Sequence, residues 1–144
     1  MAAKQVQIEA SMGSGYRIEC KAGGHTILID QPAPAGGTDA GPTPLQYQMA
    51  CLAGCICSIA RIVASQRRIA LRGMSVKVDG TIDTAGLLGK GGGTRVGFSA
   101  IKAIVSVDAD MSQEEKAKFV HEVDLRCPIS ENLLHETPVT VEVG

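Results

Sequence analysis

The stretch Thr43-Pro44-Leu45-Gln46-Tyr47-Gln48, continuing as Met49-Ala50-Cys51-Leu52-Ala53-Gly54-Cys55-Ile56-Cys57-Ser58-Ile59-Ala60, decides the fold. Thr43 suits a helix N-cap, Pro44 suits the first helical position, and Gln46 completes a capping box. No proline follows until the pattern turns strand-like near Ile69. A helix is therefore expected from Pro44 to about Arg68, about 25 residues or roughly 37 Å. From Met49 to Ala60 it carries no charge on any side. A helix apolar all round must be buried all round. A small domain rarely manages that alone, so a second subunit is expected over one side. The uncharged run stops at Arg61 and falls short of the roughly 20 residues a bilayer requires, so no membrane span is expected.

Strand patterns flank this helix. Gln5 to Glu9 alternates with period two, and so does Tyr16 to Lys21, which puts Tyr16, Ile18 and Cys20 on one face. Gly23-Gly24 signals a turn before a third strand, His25 to Asp30, and the three read as a meander. Gln31 to Pro42 is punctuated by Pro32, Pro34, Gly36, Gly37, Gly41 and Pro42, so it reads as a loop. Loops of that length are often functional.

Beyond the helix, Met74, Val76, Val78 and Ile82 alternate with polar residues as a half-buried strand. Gly86 to Gly93 reads as a hairpin loop. Lys90 is followed by Gly91, not Ser or Thr, so the phosphate-loop pattern fails. Arg95 to Asp108 is expected to be a strand, with a bulge or two-sided burial where apolar parity switches at Ala100–Ile101. Ser112-Gln113-Glu114-Glu115 is a capping box for a second helix, with Phe119, Val120 and Val123 inward. In Arg126-Cys127-Pro128, the proline would make Cys127 the N-cap of a short third helix. Val139, Val141 and Val143 read as a closing strand. The elements define an α+β chain, read as one domain over residues 1–144.

Composition narrows the function. The 144 residues carry 14 basic and 15 acidic side chains, a net charge of −1, which argues against a nucleic-acid or membrane-surface binder. Aromatics are 3% of the chain, too few for base-stacking platforms. The first residues run into a polar/apolar alternation rather than a signal-peptide block, so a cytoplasmic protein is expected. Five cysteines, an odd number, argue against a secreted disulfide framework and leave thiol chemistry as the question.

Cys127 has the clearest local case for reactivity. A helix N-terminus offers free N–H groups and partial positive charge, which stabilise a thiolate, and Arg126 is adjacent. Cys55 sits 11 residues after Pro44, about 16 Å along the helix, where the macrodipole no longer acts. Its spacing alone reads as a core cysteine. As a nucleophile it would need a cation from elsewhere. Cys51 and Cys55 are one turn apart, with Cβ atoms about 5–6 Å from each other where a disulfide wants roughly 3.8 Å. Cys55 and Cys57 point to nearly opposite sides. Any redox partner must therefore come from outside the helix. Cys20 reads as core. Cys51-x-x-x-Cys55-x-Cys57 is not a zinc spacing, and His25, His121 and His135 stand in separate segments, so no metal site is expected. No serine-nucleophile elbow is present.

Two motifs carry a family resemblance. The run Asp30-Gln-Pro-Ala-Pro-Ala-Gly-Gly-Thr-Asp-Ala-Gly-Pro-Thr-Pro44, followed by Cys51-Leu-Ala-Gly-Cys55, resembles the OsmC/Ohr family, and so does Arg126-Cys127-Pro-Ile-Ser-Glu-Asn-Leu133. The resemblance covers nearly the whole chain. It implies antiparallel sheets around a long central helix in an intertwined homodimer, with the active site at the dimer interface. It also implies a thiol-dependent peroxidase for organic hydroperoxides, serving oxidative-stress defence. Cys55 matches the family's peroxidatic cysteine and Cys127 its resolving cysteine, with a Cys55–Cys127 disulfide between them. No bound cofactor is implied, only an external dithiol reductant. Family members commonly carry Glu directly after the helix-opening proline, in a network that holds a catalytic Arg. Here Leu45 takes that place, Gln46 follows, and no Arg lies between Gln31 and Pro42. Arg17 and Arg95 are the candidate substitutes. The rival reading is a non-catalytic dimer that binds a small ligand and uses Cys55 for packing.

Overall fold

The structure is a computed structural model that describes residues 2–144. The chain divides at Gln48/Met49 into two compact units.

In the first unit, β1 (Glu9–Met12), β2 (Ile18–Ala22) and β3 (His25–Ile29) form an antiparallel sheet in the order β1-β2-β3. This is the expected meander, with its first strand displaced. Gln5 to Ile8 stay outside the sheet, because pairing with β2 selects Glu9↔Lys21 to Met12↔Ile18. Ladder partners, not alternation alone, set where a strand lies. Tyr16 likewise falls before β2 and is exposed, while Cys20 is buried as expected.

The loop after β3 is built around one buried carboxylate. Asp30 is 1% exposed and accepts hydrogen bonds from the amides of Gln31, Thr38 and Ala40 and from the Thr38 hydroxyl, at 2.6–3.1 Å. Those donors hold its pKa at about 2, against an ordinary 3.8, the Thr38 hydroxyl acting most strongly. A Cβ on Gly37 would collide with the Gln31 carbonyl and the Asp30 carboxylate, so only glycine closes the turn. The loop delivers the chain to Thr43, whose hydroxyl accepts the Gln46 N–H (3.3 Å) while Gln46 Oε1 accepts the Thr43 N–H (2.9 Å). The capping box read from sequence is in place, and helix α1 (Pro44–Arg67) starts there.

The second unit holds most of α1. One face of the helix, Leu52, Ile56, Ala60, Val63 and Ala64, is buried. It shares a core with Leu71, Ala109, Phe119, Val123 and Cys127. The spacing i, i+4, i+8, i+11, i+12 is that of an apolar helix stripe. The opposite face is open. Cys51, Gly54, Ser58, Arg61 and Ile62 are exposed, so the all-round burial expected of this helix is half met within the chain. By length and composition alone the helix could cross a membrane (mean hydropathy 1.6 over its most apolar window), a test that the core helix of a soluble protein also passes. Its inward face nevertheless carries a packed protein core.

The α1 helix ends in a Schellman turn. Ile69 N–H bonds Ala64 O at 2.8 Å and Arg68 N–H bonds Ser65 O at 3.3 Å, with Arg68 at φ 56°. Strands β4 (Gly73–Thr81) and β5 (Ala100–Asp108) pair antiparallel from Gly73↔Asp108 to Thr81↔Ala100. Met74, Val76 and Val78 face the core, as their alternation requires. Residues 95–99 are irregular, so the parity switch at Ala100 marks the start of a strand and not a bulge within one. The α2 helix (Gln113–Leu125) opens on the Ser112/Glu115 capping box, with Phe119 and Val123 buried. The α3 helix (Pro128–Leu134) follows after two residues. The expected strand through Val139, Val141 and Val143 does not form. These valines are 81–102% exposed, and no strand of the described chain pairs with them. An alternating segment needs a ladder partner to become a strand.

Candidate functional site

Two cysteines from distant parts of the sequence meet in the second unit. Cys55 is half-buried on α1 and packs against the core between Leu52 and Ile56. Cys127 lies between α2 and α3 and is fully buried. It is the N-cap of α3, with extended backbone (φ −83°, ψ 110°), Pro128 at the first helical position and its Sγ accepting the Ser130 N–H at 3.5 Å. This is the cap expected from the Cys-Pro order.

The electrostatics run against the local signal. The helix N-terminus argues locally for a thiolate at Cys127, but its pKa is raised. Burial acts first, because a buried anion loses its hydration. Hydrogen bonding with Cys55 and the charge of a Cys55 thiolate push the same way, and the amides of Ser130 and Ile129 offset only part of this. Arg126 does not rescue the thiolate. Its guanidinium is spent on Glu122 at 3.4 Å, and Glu122 also holds Arg67 at 2.7 Å. Cys127 therefore rests as a neutral thiol that can donate its S–H to Cys55.

A cavity of about 580 Å³ is lined by Leu52 and Ile56, which flank Cys55 on α1, by Val105 and Val120, and by His121, Asp124 and Ser130, with neither cysteine among its lining residues. Cys51 is exposed and Cys57 half-buried on α1, and all five cysteines are free. Of the candidate cations, Arg17 belongs to the first unit and pairs with Glu19 at 3.8 Å. Arg95 sits in the segment between β4 and β5. Among the described residues Arg95 makes no ion pair and no cation bonds the Cys55 sulfur. His135 faces Glu131 at 3.2 Å on the surface.

Sequence reasoning missed two groups. Asp30, directly before a Pro/Gly-rich loop, is the kind of residue that caps its own turn, and that position was the available signal. The Ser130–Asp124 hydrogen bond (2.6 Å) gives no sequence signal beyond a six-residue separation across a helix break.

The arrangement is that of an α+β protein in which a long helix and a helix corner present two thiols to each other. The family model for OsmC-like proteins matches residues 37–142, and the chain belongs to that family. Its fold is similar to that of an OsmC-like protein from Mycoplasma pneumoniae, with a TM-score of 0.81 at 20% identity over 94% of this chain and 91% of that one. An organic hydroperoxide resistance protein OsmC from Legionella pneumophila, also described as a predicted redox protein, gives 0.69 at 21% identity over 92% and 91%. An organic hydroperoxide resistance protein from Elizabethkingia anophelis, crystallised with thiocyanate bound, gives 0.69 at 17% over 94% and 91%. These likenesses establish the α+β OsmC/Ohr fold. No curated protein matches the sequence.

Proposed function

We propose that this chain is a thiol-dependent peroxidase that reduces organic hydroperoxides in oxidative-stress defence. The observation that carries the reading is the adjacency of Cys55 and a buried, neutral Cys127. Relatives of the same fold described as organic hydroperoxide resistance proteins support it. The Cys55 thiolate attacks one peroxide oxygen. The O–O bond breaks, the alkoxide leaves and takes up a proton as the alcohol, and Cys55 becomes a sulfenic acid. Cys127 then gives up its proton and attacks the Cys55 sulfur. The S–S bond forms, and hydroxide leaves as water. An external dithiol returns both thiols by exchange. No bound cofactor is needed. Arg17 or Arg95 supplies the cation that keeps Cys55 reactive. The largely apolar cavity lined by Leu52 and Ile56, the helix neighbours of Cys55, suits an alkyl chain better than hydrogen peroxide.

The reading includes an intertwined homodimer in the cytoplasm. The open stripe of α1 and the exposed valines after α3 support it, since both are apolar or strand-patterned surfaces without a partner in the chain.

The test is thiol trapping and mass spectrometry under non-reducing conditions after one equivalent of cumene hydroperoxide. A Cys55–Cys127 linked peptide, erased by a dithiol, is the expected result. Intact thiols at both positions would replace the peroxidase with a ligand-binding dimer.

A further inference from the structure

We propose that Asp124 and Ser130 are positioning residues that hold Cys127 at Cys55, and so set how a Cys55 sulfenic acid divides between disulfide and further oxidation. This rests on the two-cysteine reading above.

The geometry is a closed ring of three hydrogen bonds at positions i, i+3 and i+6. The Cys127 N–H donates to the Asp124 carbonyl at 3.1 Å. The Ser130 N–H donates to Cys127 Sγ at 3.5 Å. The Ser130 hydroxyl donates to Asp124 Oδ1 at 2.6 Å. Asp124 stands in the last turn of α2 and Ser130 in the first turn of α3, so the ring bridges the corner that carries Cys127. Of the three, the side-chain bond is the short one, and its acceptor is a carboxylate, which makes it the strong member. The Ser130 hydroxyl is committed to Asp124, so only its amide serves the sulfur.

The clamp matters most while the sulfur changes bonds. A disulfide brings the two sulfurs to about 2.05 Å. Cys127 Sγ must then leave the long, weak bond from the Ser130 amide. The first turn of α3 loses the sulfur's cap at that moment, and the Asp124–Ser130 bond, with the backbone bond from Cys127 N–H to the Asp124 carbonyl, is what still ties the corner to α2. Without it the corner samples more conformations and the thiol is less often aligned with Cys55. Misplacement of a reacting group by about 1 Å can slow a step on the order of 100-fold.

Two fates compete for the sulfenic acid. Cys127 converts it to a disulfide with loss of water, in a step independent of peroxide. A second hydroperoxide oxidises it to sulfinic acid and is itself reduced to the alcohol, in a step proportional to peroxide. The peroxide concentration at which half the protein becomes sulfinic acid therefore falls by the factor by which disulfide formation slows.

The experiment compares the parent protein with Ser130→Ala, Ser130→Thr and Asp124→Ala. Each is oxidised with cumene hydroperoxide over a concentration series, quenched, and resolved by mass into sulfenic, sulfinic and disulfide forms. In Ser130→Ala and Asp124→Ala the rate of Cys55 thiol consumption is read separately, because both residues also line the cavity, and disulfide formation is compared with it. Both should form the disulfide about tenfold or more slowly, and their half-sulfinic concentration should drop by the same factor. Ser130→Thr, which keeps the hydroxyl, should restore the parent values. Asp124→Ala removes the bond from the other side, which covers a folding defect in Ser130→Ala. An unmoved half-sulfinic concentration in both alanine variants overturns the proposal. So does equal slowing of both steps, which is what a merely structural role predicts. Sulfinic acid without disulfide in the parent itself would instead sink the two-cysteine reading on which the proposal stands.

Discussion

Replacing Cys127 by Ser and by Ala separates its two duties, the cap and the chemistry. Both substitutions delete the same buried sulfur, so the packing loss is common to them and cancels in the comparison. They differ in one atom. The serine hydroxyl can accept the Ser130 N–H that Cys127 Sγ now accepts at 3.5 Å, and it can offer a proton towards Cys55. Alanine can do neither. Serine is among the best N-cap residues, and its loss to alanine costs about 1 kcal/mol. In a chain of this size that is about 3 °C in melting temperature. The assay is urea unfolding of the reduced variants at one fixed protein concentration, since subunit association would otherwise shift apparent stability. Cys127→Ser should unfold at the higher urea concentration with an unchanged slope. Both variants should lose turnover with a dithiol and retain one stoichiometric reaction with hydroperoxide at Cys55. Identical midpoints would refute the cap argument. Full turnover in either variant would refute the resolving role.

Three further outcomes are expected. Asp30 has its folded pKa lowered to about 2 from 3.8, so its contribution is complete above the ordinary value and lost as pH falls towards 2. The acid limb of urea midpoints between pH 2 and 5 should therefore flatten in Asp30→Asn. Gly37→Ala forces a Cβ into the Gln31 carbonyl and the Asp30 carboxylate and should destabilise by about 2 kcal/mol or more, seen as faster proteolysis between Gln31 and Pro42. Phe119 is 4% exposed within the core, and Phe119→Ala should cost about 3–5 kcal/mol in chemical unfolding.

The helices were legible because their ends are local chemistry. Thr43-Pro44-Leu45-Gln46, Ser112 with Glu115, and Cys127-Pro128 each place a cap and a first turn within a few residues, and all three helices start where those signals stand. Strands were legible in kind but not in extent. Alternation runs from Gln5, yet pairing begins at Glu9, because a ladder depends on a partner that sequence periodicity does not register. The same reason leaves Val139, Val141 and Val143 without a sheet. For the site, the N-cap position of Cys127 was readable and its ionisation was not. A helix N-terminus argues for a thiolate, but burial and the neighbouring Cys55 outweigh it, and both are tertiary facts. The Asp124–Ser130 bond was hidden for the opposite reason. Its partners are close in sequence, but their meeting depends on the angle between two helices.

The segment 82–99 that joins β4 to β5 has a consequence for how this chain can be lengthened. Its glycines at 89, 92 and 93 hold positive φ angles, and a Cβ there would meet nothing within 4 Å, so the chain is open at these three positions, while Gly91 lies against Gly86. Phe98, by contrast, is packed over Gly80 and fixes the returning arm. Chain-closure entropy grows only with the logarithm of loop length, and doubling such a loop costs about 0.6 kcal/mol. A peptide epitope or a labelling tag inserted between Gly92 and Gly93 should thus leave the β4–β5 ladder in register. That gives a handle on the protein that touches neither thiol.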